Sequence, residues 1–194
     1  MKKTIVTGIT GASGSIYALN FLKHAADLGV DLRIVLTETG AAVFKYETGL
    51  TLTDALMRLD IHACNSCAVR IYDNKDIFAD IASGSHKTDG MVVVPCSMKT
   101  LSGIANGYSA SLLERAADVM LKERRDLILA VRETPLSMIH LKNMTLAAEA
   151  GAVILPVSPG FYHKPETIDD LADFITGKIL DQLGIEHKLK TVWE

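Results

Sequence analysis

Short apolar runs alternate with longer segments of helical spacing along this chain, and that alternation predicts its architecture. Lys3 to Thr7 reads as a strand, Gly8 to Gly14 as a glycine-rich turn, and Ser15 to Leu28 as a helix. Asp31 to Thr37 reads as a second strand, and residues 39–59 as mostly helical with a stop at Gly49. Met91 to Val94, Leu127 to Val131 and Ala152 to Val157 read as further strands. Helices are expected over Ser109 to Arg125 and over Thr167 to Leu183, the latter capped by Thr167 with Asp170 three residues on. Residues 61–89 show no clear period and are expected to form a short excursion. The repetition predicts an α/β fold, a three-layer Rossmann-like parallel sheet with helices on both faces and ligands at the carboxyl ends of its strands.

The chain has 194 residues, enough for one sizeable domain, expected over 1–185, with 186–194 as a C-terminal arm against a neighbouring subunit. A net charge of −3 gives no general attraction to nucleic acid or to an anionic membrane, so cation clusters are read as sites. No apolar run approaches the roughly 18 residues of a membrane span. Three cysteines and no leader-like pattern predict reduced thiols in the cytoplasm.

The candidate chemistry lies in the loops after the predicted strands. Gly8 to Gly14 lets the backbone approach a phosphate at a helix N-terminus. Its glycine spacing also fits short-chain dehydrogenases, which need a Tyr followed four residues later by Lys. The five tyrosines are followed at that distance by Phe21, Leu50, Asp76, Leu112 and Glu166, which argues against that chemistry. Pro95-Cys96-Ser97-Met98-Lys99-Thr100 offers hydroxyls for a cap or a ligand, with Cys96 expected to be buried. Arg115 and Lys122 are seven residues apart and share a helix face about 20° wide; from spacing alone a solvated charge stripe is the simpler reading. Glu123-Arg124-Arg125 is expected to be solvated. Arg132-Glu133-Thr134-Pro135 ends a buried strand, where a charged pair suggests phosphate binding and proton transfer, or an internal ion pair. Together these segments point to an anionic, phosphorylated ligand. His62, Cys64 and Cys67 lack the second ligand pair of a metal site, and no metal is predicted.

Taken in order, these blocks resemble the flavin prenyltransferases of the UbiX/Pad type. The resemblance rests on Ile9 to Gly14, Ala82-Ser83-Gly84-Ser85, Thr88 to Met91, Pro95 to Thr100, Arg115 to Val119, Leu121 to Arg124 and Arg132 to Leu136, and continues to Phe161-Tyr162 and Leu180-Asp181. The ending Leu180 to His187 is similar to relatives paired with phenolic-acid decarboxylases. The resemblance implies a flavodoxin-like fold, a homo-oligomer (typically a dodecamer), and FMN bound between subunits. It implies that a dimethylallyl group passes from dimethylallyl phosphate to reduced FMN, and that the prenylated FMN serves a UbiD-type decarboxylase. Gly11, Ala12, Ser13, Thr37, Ser97, Met98, Lys99, Thr100 and Arg132 would hold FMN. Arg115, Lys122, Arg132, Tyr162 and Lys178 would bind the prenyl phosphate. Glu133, Ser13 and Lys122 would be catalytic, with Glu133 moving the proton. Many members have Arg where this chain has Lys178, which keeps the charge and loses the fork. Two other activities are weighed against this one: an FMN-carrying subunit of an aromatic-acid decarboxylase, and a flavin-dependent cysteine decarboxylase.

Overall fold

A computed structural model describes residues 2–61 and 67–189. The elements run β1 (Thr4–Ile9), α1 (Ser15–Asp27), β2 (Asp31–Leu36), α2 (Glu38–Thr48), α3 (Leu52–Arg58), β3 (Val69–Asp73), β4 (Gly90–Cys96), α4 (Met98–Ala105), α5 (Leu112–Lys122), β5 (Leu127–Val131), α6 (Met138–Glu149), β6 (Val153–Ile154) and α7 (Ile168–Gln182), with a 3-10 turn over Asp80–Ala82. All strand pairs are parallel, in the order β3-β2-β1-β4-β5-β6. The order reverses between β1 and β4, which marks the ligand crevice of a doubly wound sheet. Without the edge strand β3, the other five strands follow the flavodoxin order.

The central strand β4 is buried at every position, as a parallel strand covered on both faces must be. Alternate residues feed two cores. Ile5, Leu32, Ile34, Val92, Val94, Ile128 and Ala130 meet Phe21 and Leu22 of α1 and Ile175 and Ile179 of α7 on one face. Val6, Val35, Met91, Val93, Leu127 and Leu129 meet Leu101 of α4, Leu113, Ala116 and Met120 of α5, and Ala147 of α6 on the other. Each fully buried side chain such as Phe21 contributes about 1.5–3 kcal/mol.

Helix starts follow the cap residues. Thr37 starts α2, and Gly49 ends it at φ 72°; Thr51 with Asp54, Ser111 with Glu114, and Thr167 with Asp170 form capping boxes. The helical stretch expected over 39–59 is therefore two helices. The excursion expected at 61–89 contains a strand, β3, and the strand expected from Ala152 is cut to two residues. The first four residues of the arm, 186–189, lie against their own chain: His187 Nε2 is 3.0 Å from Asp181 Oδ1, and Leu189 packs on the α1–α7 core.

Candidate functional site

A cavity of about 1040 Å³ opens at the carboxyl edge of β1, β2 and β4. Gly11, Thr37, Ser97, Lys99 and Thr100 of the expected set line it. So do Glu38 at the first position of α2, Asn74 and Tyr108 in loops, and Ser111 at the cap of α5, for which the sequence reading named no ligand role.

Two turns build its floor. The buried Thr10 hydroxyl donates to Pro95 O at 2.7 Å and accepts from Ser97 N at 2.8 Å, tying the glycine turn to the end of β4. A register shift between Val93 and Cys96 aims that end outward. Ser97 then caps α4, accepting from Thr100 N at 3.4 Å and donating to Thr100 Oγ1 at 3.2 Å. The first-turn amides of Met98 and Lys99 have no partner among the described residues, which leaves N–H donors facing the cavity side of this helix start. Gly11 must remain bare: a Cβ there would come 2.5 Å from Thr39 Cγ2. Thr37 Oγ1, on the cavity wall, accepts from Gly40 N at 3.0 Å.

The start of α1 departs from expectation. The Gly14 and Ser15 amides, expected to meet a phosphate, donate instead to the Glu47 carboxylate at 3.1 and 2.7 Å. Burial alone would raise the Glu47 pKa, but hydrogen bonds from the Ser13 and Ser15 side chains and the two amides outweigh it and bring it down to about 2. An anion site exists here, and a side chain of the same chain fills it. The sequence signal was weak, since Glu47 is one acid on an ordinary helix 33 residues from Gly14. Because the folded pKa lies below the usual value of 4.5, the Glu47 contribution to stability is present above pH 4.5 and disappears as the pH falls toward about 2. Thermal midpoints measured across that range should fall less steeply in Glu47→Gln than in the native chain.

Arg132 joins the same turn: its Nε donates to Ser13 O at 3.0 Å. No ion pair links Arg132 to Glu133 among the described residues. Glu133 is exposed, and its carboxylate accepts from Thr134 N at 3.0 Å. Cys96 is buried, and burial pushes its thiol up to about 12, which leaves it inert.

The remaining cations lie on different elements of the chain. Arg115 and Lys122 do share a face of α5, on one side of the sheet. Arg115 Nε donates to Ala82 O at 3.1 Å and its Nη1 pairs with Asp118 at 2.6 Å, while Lys122 pairs with Glu123. Lys178 is on α7, across the sheet, 3.8 Å from Asp181 and 5.8 Å from the centre of the Phe174 ring. Tyr162 meets Phe174 edge to face at 5.7 Å. Arg125, expected to be solvated, is half-buried and bonded to main-chain carbonyls. Among the described residues no group of three or more His, Cys, Asp or Glu could hold a metal; His62 and Cys64 lie outside them. No helix of the described residues is long and apolar enough to cross a membrane.

Sheet order, crevice and free helix amides define a nucleotide-binding α/β protein, and the comparisons narrow the class. The Flavoprotein family profile matches residues 1–180. The flavin prenyltransferase UbiX of Halalkalibacterium halodurans is 49% identical over 193 residues, covering 99% of this chain and 94% of that protein. The crystal structure of AnUbiX (PadA1) in complex with FMN and dimethylallyl pyrophosphate superposes with a TM-score of 0.88 at 40% identity, covering 100% of both chains. A dodecameric FMN-dependent Ubix-like decarboxylase from Escherichia coli superposes with a TM-score of 0.90 at 38% identity, covering 98% of this chain and 99% of that one. The chain belongs to the flavin prenyltransferase family. The FMN-dependent cysteine decarboxylase TvaF, at 16% identity and a TM-score of 0.62 over 95% of this chain and 99% of that one, shares the fold alone.

Proposed function

We propose that this chain joins the dimethylallyl group of dimethylallyl phosphate to N5 and C6 of reduced FMN. The C–O bond to phosphate breaks, N5 and C6 each lose a proton and the allylic double bond takes one up, so that phosphate and one net proton are released, and the prenylated FMN passes to a decarboxylase of the UbiD type in the cytoplasm. The observation that carries this reading is the convergence of Ser13, Arg132 and Glu47 on one turn beside a cavity large enough for a mononucleotide. FMN suits the residues present. The Met98 and Lys99 amides, with Ser97, Thr100 and Thr37, hold its phosphate, while Gly11 and Ala12 let the ring approach the backbone. The flavin supplies the nucleophile; the chain supplies charge and order. Arg115, Lys122, Arg132, Tyr162 and Lys178 hold the leaving phosphate and stabilise its growing charge, a role that needs no metal. Glu133 takes the proton, and Ser13 stays at the reaction centre.

Arg115 and Lys122 lie across the sheet from Lys178, so one chain cannot close this set around one phosphate. Neighbouring copies complete each site. The apolar face that α6 leaves uncovered, with Met138 and Ile139 about two-thirds exposed, supports a homo-oligomer, and the twelve-fold assembly of the E. coli relative is the proposed form. A carrier subunit would not need a carboxylate at Glu133 or cations on α5, which disfavours that alternative.

Anaerobic incubation with reduced FMN and dimethylallyl phosphate, followed by mass spectrometry of the released flavin, tests the reading. A gain of one C5 unit is expected; flavin that binds and stays unchanged would leave the carrier function instead. Ser97→Ala, which removes both the α4 cap and a ligand hydroxyl, should weaken FMN binding about tenfold and cost about 1 kcal/mol of stability. Flavin fluorescence titration and denaturant melts check both effects.

A further inference from the structure

The loop that follows the Asp80–Ala82 turn is fastened beside the end of α5 chiefly by Arg125, with the Thr88 hydroxyl donating to Met120 Sδ at 3.8 Å. Arg125 donates from Nη2 to Gly84 O at 2.6 Å and from Nη1 to His86 O at 2.8 Å, with Thr88 Oγ1 at 3.4 Å. The same loop receives both α5 cations assigned above to the prenyl phosphate. Arg115 Nε reaches Ala82 O, and the Lys122–Glu123 pair lies against Gly84, where a Cβ would meet the Glu123 carboxylate first and come 2.7 Å from Lys122 Nζ. The backbone is bent to bring Arg125 there. Arg124 adopts φ 54°, a left-handed conformation that L side chains rarely take, and Arg125 N returns to Met120 O at 2.8 Å. At its other end the loop is held by Asp80, which accepts from Tyr72 OH at 2.7 Å and from Arg70 Nη1 at 3.2 Å.

We propose that Arg125 is a positioning residue for prenyl transfer. It clamps residues 84–88, and so fixes the Ala82 carbonyl and the bare Gly84 surface against which Arg115 and Lys122 are placed. Each cation is also paired with a neighbouring acid, Arg115 with Asp118 and Lys122 with Glu123. A released loop withdraws the Ala82 carbonyl from Arg115 and the Gly84 surface from the Lys122–Glu123 pair, and both cations lose their aim at the phosphate. Arg125 is itself committed to carbonyls, so it acts through the loop and not on the substrate.

This inference rests on the proposed activity, and its test separates the two. Arg125→Gln and Arg125→Lys are made in the full chain. The readouts are KM for dimethylallyl phosphate, kcat, FMN affinity, thermal midpoint and amide exchange of residues 83–88. Arg125→Gln is expected to raise KM about tenfold, through the lost charge-assisted bonds, with FMN affinity and assembly unchanged and the loop amides exchanging faster. Arg125→Lys should recover part of the loss, because one ammonium replaces the charge but not the fork across two carbonyls. Should Arg125→Gln not fold, the Lys variant is compared with the native chain alone. An unchanged KM in a folded variant with a loosened loop overturns the inference. So does a parallel loss of FMN affinity and thermal midpoint, the mark of a general structural role. A native chain that transfers no prenyl group overturns the proposed activity, and this inference with it.

Discussion

A Lys122→Met chain and an Arg132→Met chain, each nearly inactive alone, will regain prenyl transfer when assembled together. The reason is geometric. Arg132 follows β5 at the carboxyl edge of the sheet and reaches Ser13. Lys122 ends α5, which enters β5 from the opposite edge, and it lies against the Gly84 loop. The strand between them spans roughly 16 Å. Lys178, on α7, lies on the other face of the sheet from α5. Removing either cation should lower turnover by about a hundredfold to a thousandfold, as removal of a preorganised charge-stabilising group does. If each site takes Lys122 from one copy and Arg132 from its neighbour, random one-to-one mixing leaves about a quarter of the sites with both native residues. About a quarter of native turnover should return in co-expressed oligomers isolated through two different tags. Mixed oligomers with no recovered activity would mean that one chain supplies both residues, and the arrangement proposed here would be wrong.

The parts of this design that were legible in the sequence are those written in local chemistry. The β-branched run Met91–Val94 has no alternative to a buried central strand. The Thr167–Asp170 box marks a helix start because side chain and amide satisfy each other within four residues. The Ser97–Thr100 turn lies on the cavity because the carboxyl edge of a parallel sheet is where loops gather. Other parts depend on partners distant in sequence. Strand β3 was missed because Arg70, Tyr72 and Asp73 give it the polarity of an edge, and only its pairing with β2 makes it a strand. Helix α6 has apolar residues around its whole circumference, so no single stripe shows. Glu47 reaches α1 from α2, and nothing in its neighbourhood announces that reach. The cation set illustrates the limit most directly: its members share a ligand through the family resemblance, yet they occupy three regions of one chain. On the proposed reading, residue type carries the chemistry of the site and the assembly its completeness.

Glu133→Gln should lower formation of the doubly attached prenylated flavin by about a hundredfold to ten-thousandfold, the usual range for loss of a positioned general base. The substitution is nearly isosteric and keeps an acceptor for Thr134 N, so fold, FMN binding and assembly should be unaffected. What it removes is the ability to take a proton. Closing the new ring needs the allylic double bond to take up a proton and flavin C6 to lose one, so transfer should stop after the first of the two bonds. The C5 unit would then be found attached through N5 alone in acid-quenched samples. Two carboxylates compete for this role, and the structure distinguishes them. Glu47 accepts hydrogen bonds from the Gly14 and Ser15 amides, and their hold on the anion brings its pKa down to about 2, which makes it a poor base and a good fixed charge beside Ser13. Glu133 has one weakly competing amide and stands next to Arg132. Full product at the native rate from Glu133→Gln would overturn that assignment and pass the proton to Glu47. Glu47→Gln, expected on the present reading to weaken charge stabilisation while both bonds still form, would then be the variant that stops after one.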